Sequence, residues 1–288
     1  MKLINRPVSR LFAFGCSFTE YFWSTWPEIV AYDLDIPFYN YGKCGAGNQY
    51  IVNSLVQAHL KHNITKDDLV IVSWTNVCRE DRWRKLGWVT PGNIYTQNFF
   101  DEKFIKDWAD PLGYMVRDFA SIHLARQLLQ NIQCQYHMLS MCDIAEQIDQ
   151  GSSFSIEAQQ ANKHQELCKL YKNDLADIQP SFFKQLWNNN IYNNKLLKEA
   201  DLFKNKFSDG HPNPAEHYLF LTKTFTDHQF KRETDQRVKE VQENFVKFIL
   251  DKIENTKKEF AIWNLSFEEM QLLKKAVTFK ESQSIEII

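Results

Sequence analysis

An α/β fold, with a central parallel sheet between layers of helices, is what this 288-residue sequence predicts. Three observations carry the expectation. Short apolar runs end in polar loops that hold glycine or serine. Segments with apolar residues at three- and four-residue spacing lie between those runs. The two kinds of segment alternate along residues 10–140, which is the pattern of strand–helix–strand units.

Residues 11–14 form the first apolar run and stop at Gly15-Cys16-Ser17, as a buried strand delivering a polar loop would. Thr25, followed three residues on by Glu28 with Pro27 in the first turn, predicts a capping-box start to a helix carrying Ile29, Val30 and Leu34. Residues 36–39 predict a second strand that closes in a loop containing Gly42, Gly45 and Gly47. Residues 50–62 follow with Ile51, Leu55 and Ala58 at helical spacing. Residues 69–72 are continuous and β-branched, as in a strand covered on both faces, and end in Ser73-Trp74-Thr75-Asn76. Residues 119–129 read as a helix and 134–139 as a fourth strand, closing at Ser140-Met141-Cys142-Asp143.

Beyond this point the alternation loosens. Residues 144–205 read as a helical insertion near the active face, with helical stretches over 156–175 and an Asn-rich piece at 188–190. Asp209-Gly210-His211-Pro212 lies in a turn-rich loop, and Pro214 is placed to start a helix. The main domain is expected over 1–231 and a helical carboxyl-terminal appendage over 232–288. Val238, Val241, Phe245, Phe248, Ile249 and Ile253 give the appendage an amphipathic helix whose apolar stripe is a candidate contact between copies of the chain. A strand is expected at 260–263, and Ser266 with Glu269 forms a second capping box before Met270, Leu273 and Val277.

A formal charge of −2 provides no global attraction to polyanions, so no nucleic-acid partner is expected. No run of 18 apolar residues occurs and the first residues lack a secretory pattern, which predicts a cytoplasmic protein with no membrane partner. Six cysteines without CxxC spacing predict free thiols and no structural zinc.

In open parallel sheets, ligands sit at the carboxyl ends of the strands. The loops bearing Ser17, Gly45 and Asn76 all emerge there, offering a hydroxyl nucleophile, an approachable backbone amide and a side-chain amide donor, while His211 can act as a base. These residues resemble the four blocks of the SGNH hydrolases (GDSL-like lipases and esterases). Gly15-Cys16-Ser17-Phe18-Thr19 resembles the first block, Asn40-Tyr41-Gly42-Lys43-Cys44-Gly45 the second, Trp74-Thr75-Asn76 the third and Asp209-Gly210-His211-Pro212 the last. Across residues 10–225 the resemblance implies a flavodoxin-like three-layer α/β/α fold. It implies Ser17 as nucleophile, His211 as base and Asp209 as orienting acid, with an oxyanion hole from Ser17, Gly45 and Asn76. It implies no metal and no organic cofactor.

Three departures from the family pattern shape what to expect. Cys16 stands in place of the usual Asp. Trp74 replaces a glycine and Val77 an Asp, which would narrow the pocket and make Trp74 a substrate contact. One residue separates Asp209 from His211 where the family has two, so either the loop reaches Nδ1 or the site is a Ser–His dyad. The implied function is a serine esterase acting on a small acyl group, such as acetyl, on a carbohydrate. Acyl transfer at the same site and a non-catalytic binding or assembly module are the alternatives. Gly-Cys-Ser-Phe-Thr also resembles sequences of bacteriophage and marine bacteria, which would suit a virion or host-cytoplasm setting.

Plainer roles compete at several positions. Asn76 can cap its own turn. His217 suits a local hydrogen bond, and Cys16, Cys44, Cys78 and Cys142 suit small apolar packing. No Gly-Lys-[Ser/Thr] follows the glycines at 42, 45 and 47, which argues against a phosphate loop. The run Arg79 to Arg84 reads as a solvated charged face from which Arg79 and Arg82 could bind a carboxylate or a sugar-linked acid. Tyr21, Trp23, Trp26, Trp74, Trp83 and Trp88 are candidate aromatic walls.

Overall fold

The computed structural model describes residues 1–97, 99–145, 160–188, 209–256, 261–283 and 285. Four parallel strands form the central sheet in the order β2-β1-β3-β6: β1 (Arg10–Gly15), β2 (Phe38–Gly42), β3 (Asp68–Trp74) and β6 (Gln135–Ser140). Leu11 to Phe14 and Leu69 to Val72 have no exposed surface, so the two inner strands are covered on both faces, as their continuous apolar runs require. The strand order reverses between β1 and β3. Right-handed crossovers therefore send the helix after β1 to one face and the helix after β2 to the other. Helices α2 (Asn48–His62) and α4 (Pro111–Ile132) pack together, while α1 (Trp26–Leu34) packs with α8 (Pro214–Thr224) and α9 (Arg232–Thr256). The result is the expected three-layer α/β/α architecture, with the switch point between β1 and β3 at the site of Ser17.

Local chemistry moves several boundaries from their expected places. The second strand starts at Phe38 rather than 36, because Pro37 lacks an N–H and contributes only its carbonyl, which accepts from Leu11 N at 3.0 Å. The first helix does start after Thr25, but without a capping box. The Thr25 hydroxyl donates to Thr19 O at 2.6 Å, and Glu28 is bonded to Ser24 and Phe279 N instead. The helix expected at 119–129 begins at Pro111, capped by Asp110, whose side chain accepts from Leu112 N. Instead of a strand at 260–263, Ile262–Asn264 forms a 3-10 turn; Phe260 lies outside the described residues. The run Arg79 to Arg84 is not a uniformly solvated face either. Glu80 and Asp81 are buried, and Arg82–Arg84 (β4) pairs with Gly87–Val89 (β5) in an antiparallel hairpin.

After the hairpin comes α3 (Glu102–Trp108), and after β6 come α5 (Ala161–Leu170), α6 (Lys172–Ala176) and α7 (Phe182–Trp187). The start of the helical stretch expected at 156, and Asn189 and Asn190, lie outside the described residues. Helix α7 is tied to the sheet end by Phe183 N donating to Met141 O at 3.1 Å. In the carboxyl-terminal region, α9 and α10 (Phe267–Val277) pack on each other, and Ser266 and Glu269 form the expected capping box. Val238, Val241, Phe245, Ile249 and Ile253 of the apolar stripe are buried in the same core as the sheet, and Phe248 is partly buried. The tail then reaches the edge strand, where Gln283 N donates to Phe38 O at 2.9 Å and blunts an otherwise open sheet edge. Among the described residues no helix is long and apolar enough to cross a membrane.

Candidate active site

Ser17 sits two residues past the end of β1, in a tight turn where Thr19 N and Glu20 N both donate to Cys16 O, at 2.8 and 3.1 Å. The turn closes over Gly15, where a Cβ would lie 2.1 Å from Thr19 Oγ1. On the other side of the site, the loop before α8 is held at two points. Trp23 Nε1 donates to Pro212 O at 2.7 Å, and Asn213 with Glu216 forms a capping box that starts α8 at Pro214.

Between these anchors the residues expected from separate sequence blocks meet. His211 Nε2 lies 2.8 Å from Ser17 Oγ, and His211 Nδ1 lies 2.7 Å from Asp209 Oδ1. The single-residue spacing suffices because Asp209 folds back in a side-chain turn. The same Oδ1 accepts the backbone N–H of His211 at 2.8 Å, which delivers the carboxylate to the ring. Tyr21 donates its phenol to the other oxygen, Oδ2, at 2.8 Å and stacks on the imidazole with centroids 3.8 Å apart. Burial, reinforced by the Asp209 charge, raises the Tyr21 phenol well above its ordinary value, so it stays a donor. The Asp209 side chain is 1 % exposed and that of His211 22 %. Phe18 also packs on the imidazole, with ring centroids 5.5 Å apart.

Among the described residues neither Gly45 nor Asn76 is hydrogen-bonded to this constellation. Gly45 has φ +74°, and a Cβ there would lie 2.1 Å from Thr90 O, so both conformation and space demand glycine. Asn76 accepts from Cys78 N through Oδ1 at 2.8 Å, the turn-capping role, which leaves Nδ2 as its donor end. A buried polar network fixes both loops. Asn48 clamps the Thr75 peptide, accepting from Thr75 N at 2.9 Å and donating to Thr75 O at 3.0 Å, and also donates to Asp118 at 2.8 Å. Arg117 joins Asp118 at 2.7 Å to the carbonyls of Val77 and Arg79. Asp81 caps the start of α2 through Gly47 N and Tyr50 N, both at 2.8 Å.

Other candidates fare differently. Trp74 has no exposed surface, so it is a core residue and not a substrate contact; the pocket-narrowing expected from it is withdrawn. Arg82 is paired with Glu80 at 2.7 Å and lies over the Phe104 ring. Arg79 reaches into the loop cluster, donating to Ala46 O at 2.8 Å. His217 is buried, with burial pushing its imidazole down to about 3, and it does not touch Ser17. Cys16, Cys78 and Cys142 are buried, and burial pushes the latter two thiols up to about 12. Cys44 is exposed. Sequence reasoning placed Tyr21 near the site but missed its bond to Asp209. It missed Asn48 and Asp118 altogether, because nothing local marks a polar residue on a helix as buried.

Among the described residues no group of three or more His, Cys, Asp or Glu side chains is placed to hold a metal ion. No protein-family model matches the chain, and no curated protein matches it by sequence. Solved structures do resemble it. A member of the lipolytic protein G-D-S-L family from Veillonella parvula is 13% identical, covering 77% of this chain and 100% of its own, with a TM-score of 0.40. A GDSL-like lipase from Bacteroides thetaiotaomicron is 13% identical over 78% of this chain and 90% of its own, with a TM-score of 0.40. An alpha/beta hydrolase from the metagenome of Lake Arreo is 12% identical over 78% and 99%, with a TM-score of 0.41.

Proposed function

We propose that the chain is a serine esterase with Ser17 as nucleophile, His211 as general base and Asp209 as the acid that orients it. One observation carries this: a single imidazole bridges a hydroxyl at 2.8 Å and a buried carboxylate at 2.7 Å, at the carboxyl ends of parallel strands. Asp209 on Nδ1 sets the tautomer in which Nε2 is free to accept the Ser17 proton. Ser17 Oγ then attacks the ester carbonyl. The tetrahedral oxyanion is received by the backbone N–H groups of Ser17 and Gly45 and by Asn76 Nδ2. Collapse breaks the carbonyl–alkoxy bond, and the alcohol leaves with the proton from His211. Water repeats the sequence on the acyl-enzyme, releasing the acid and restoring Ser17. The acyl group is small, acetyl being the first choice, which the burial of Ser17, 6 % exposed, supports; its carrier is a carbohydrate.

Release of 4-nitrophenol from its acetate and butyrate esters tests the proposal. Turnover by the wild type that is lost in both Ser17→Ala and His211→Ala is the expected result. Turnover that persists in folded Ser17→Ala would sink it.

A further inference from the structure

We infer that Arg79 is the anion-binding residue of this site and that the natural ester carries a carboxylate, an inference that rests on the esterase reading. Five arginines are half-buried: Arg10, Arg79, Arg117, Arg126 and Arg237. Four of them hold an acid. Arg10 grips Asp68 through Nε and Nη2 at 2.8 and 2.7 Å, Arg117 holds Asp118 at 2.7 Å, Arg126 holds Asp177, and Arg237 holds Glu240 at 2.7 Å. No acid side chain among the described residues pairs with Arg79. Its guanidinium gives one N–H to Ala46 O at 2.8 Å and one to the Met141 sulfur at 3.5 Å, and its Nε is buried without a partner. Asp81 feels the Arg79 charge, which favours its ionised form, but its two oxygens are taken by Gly47 N and Tyr50 N and neither bonds the guanidinium.

A guanidinium has five donors and does not give up its charge, while a thioether is a weak acceptor. A guanidinium half out of water with no acid bonded to it keeps donors that neither protein nor water fully satisfies, and a ligand that brings a carboxylate to them recovers that cost. Position points the same way. Ala46 follows Gly45. The Met141 sulfur that touches Arg79 also accepts from Cys16 Sγ at 4.0 Å and from Thr75 Oγ1 at 3.6 Å, and these residues immediately precede Ser17 and Asn76. The guanidinium therefore lies where the loops after β1, β2, β3 and β6 converge. The thioether of Met141 is the weaker of the two acceptors Arg79 has, so that N–H is the one a carboxylate would take over. A single carboxylate fits better than a phosphate dianion, because Arg82, the other expected cation, is already neutralised by Glu80 and only one guanidinium remains to meet the charge.

Two pairs of esters test the inference. 4-Nitrophenyl hydrogen succinate against neutral 4-nitrophenyl butyrate places the charge on the acyl half. 4-Acetoxybenzoate against 4-acetoxybenzamide places it on the alcohol half. The expected result is a kcat/KM preference of about tenfold or more for the charged member of one pair. It falls toward parity in Arg79→Gln and is partly kept in Arg79→Lys, where the point charge remains and the fork is lost. If Arg79→Gln does not fold, Arg79→Lys alone decides, since an unchanged preference there overturns the inference. Neutral esters turned over without preference would also overturn it while leaving the esterase standing. If no ester is turned over, titration calorimetry of succinate and benzoate separates the two ideas. Binding that depends on Arg79 supports the anion site and removes the esterase; no binding overturns the anion site as well.

Discussion

Tyr21 donates its phenol to Asp209 Oδ2 at 2.8 Å across 188 residues of chain, leaving Oδ1 to face the His211 ring. The carboxylate is therefore held by two loops, and its orientation depends on both. Tyr21→Phe keeps the ring on His211 and removes only this bond. A hydrogen bond to a charged group contributes about 1.5–3 kcal/mol, so kcat on 4-nitrophenyl acetate is expected to fall about ten-fold or more. Tyr21→Ala, which also uncovers the imidazole, is expected to lose more.

Asp209→Asn puts an amide against Nδ1 and disturbs the tautomer, so kcat should fall by at least about a hundred-fold. Because Ser17, His211 and Asp209 would act as one unit, Ser17→Ala/Asp209→Asn should be no slower than Ser17→Ala alone. Multiplying losses in that double variant would show that Asp209 does not work through Ser17.

The two glycines flanking the site should respond oppositely to alanine. Gly45→Ala forces a Cβ against Thr90 O at a left-handed φ and is expected to cost at least about 1–3 kcal/mol, with activity lost alongside. Gly210, between Asp209 and His211, has open space for a Cβ and no positive φ, so Gly210→Ala should keep both melting temperature and turnover.

Asp118 is the common support of Asn48 and Arg117. Asp118→Ala strands both donors and is expected to destabilise the chain by about 2–4 kcal/mol, measured by denaturant unfolding. Asp118→Asn retains one acceptor oxygen and should cost less. In both variants kcat should fall, because the peptide before Asn76 loses its clamp.

Burial raises the Glu28 carboxyl from 4.5 to about 7. Between those values the folded chain keeps a proton that the unfolded chain has released, so the stability from this group is present at low pH and lost as pH rises through about 7. The melting temperature should therefore decline between pH 5 and 8, and the decline should be shallower in Glu28→Gln. That variant leaves an acceptor for Phe279 N, which donates to Glu28 at 3.0 Å and docks the tail on α1. An equal slope in wild type and variant would refute this.

Much of the site was legible because its residues lie where strands end. Ser17, Gly45 and Asn76 follow runs whose apolar continuity marks buried strands, and Asp209-Gly210-His211 stands out as a polar loop before a proline-started helix. Errors arose where a competing partner, near or far in sequence, took a group that local spacing had assigned. Thr25 and Glu28 have capping-box spacing, yet the Thr25 hydroxyl is taken by Thr19 O and the Glu28 carboxyl by Ser24 and Phe279. Trp74 sits at the right block position, but as the last residue of β3 it is wholly covered.

By itself, the amino-acid order determined the parallel α/β architecture and which hydroxyl and imidazole to suspect, since strand and helix periodicity and turn residues are short-range properties of the chain. Only the tertiary structure decided that one residue between Asp209 and His211 is enough, that Tyr21 closes the other side of the carboxylate, and that Arg82 is ion-paired with Glu80 while Arg79 bonds a carbonyl and a thioether. Those outcomes depend on burial and on which charges meet. Both are set by contacts such as Ser17 with His211, 194 residues apart, that no local pattern encodes.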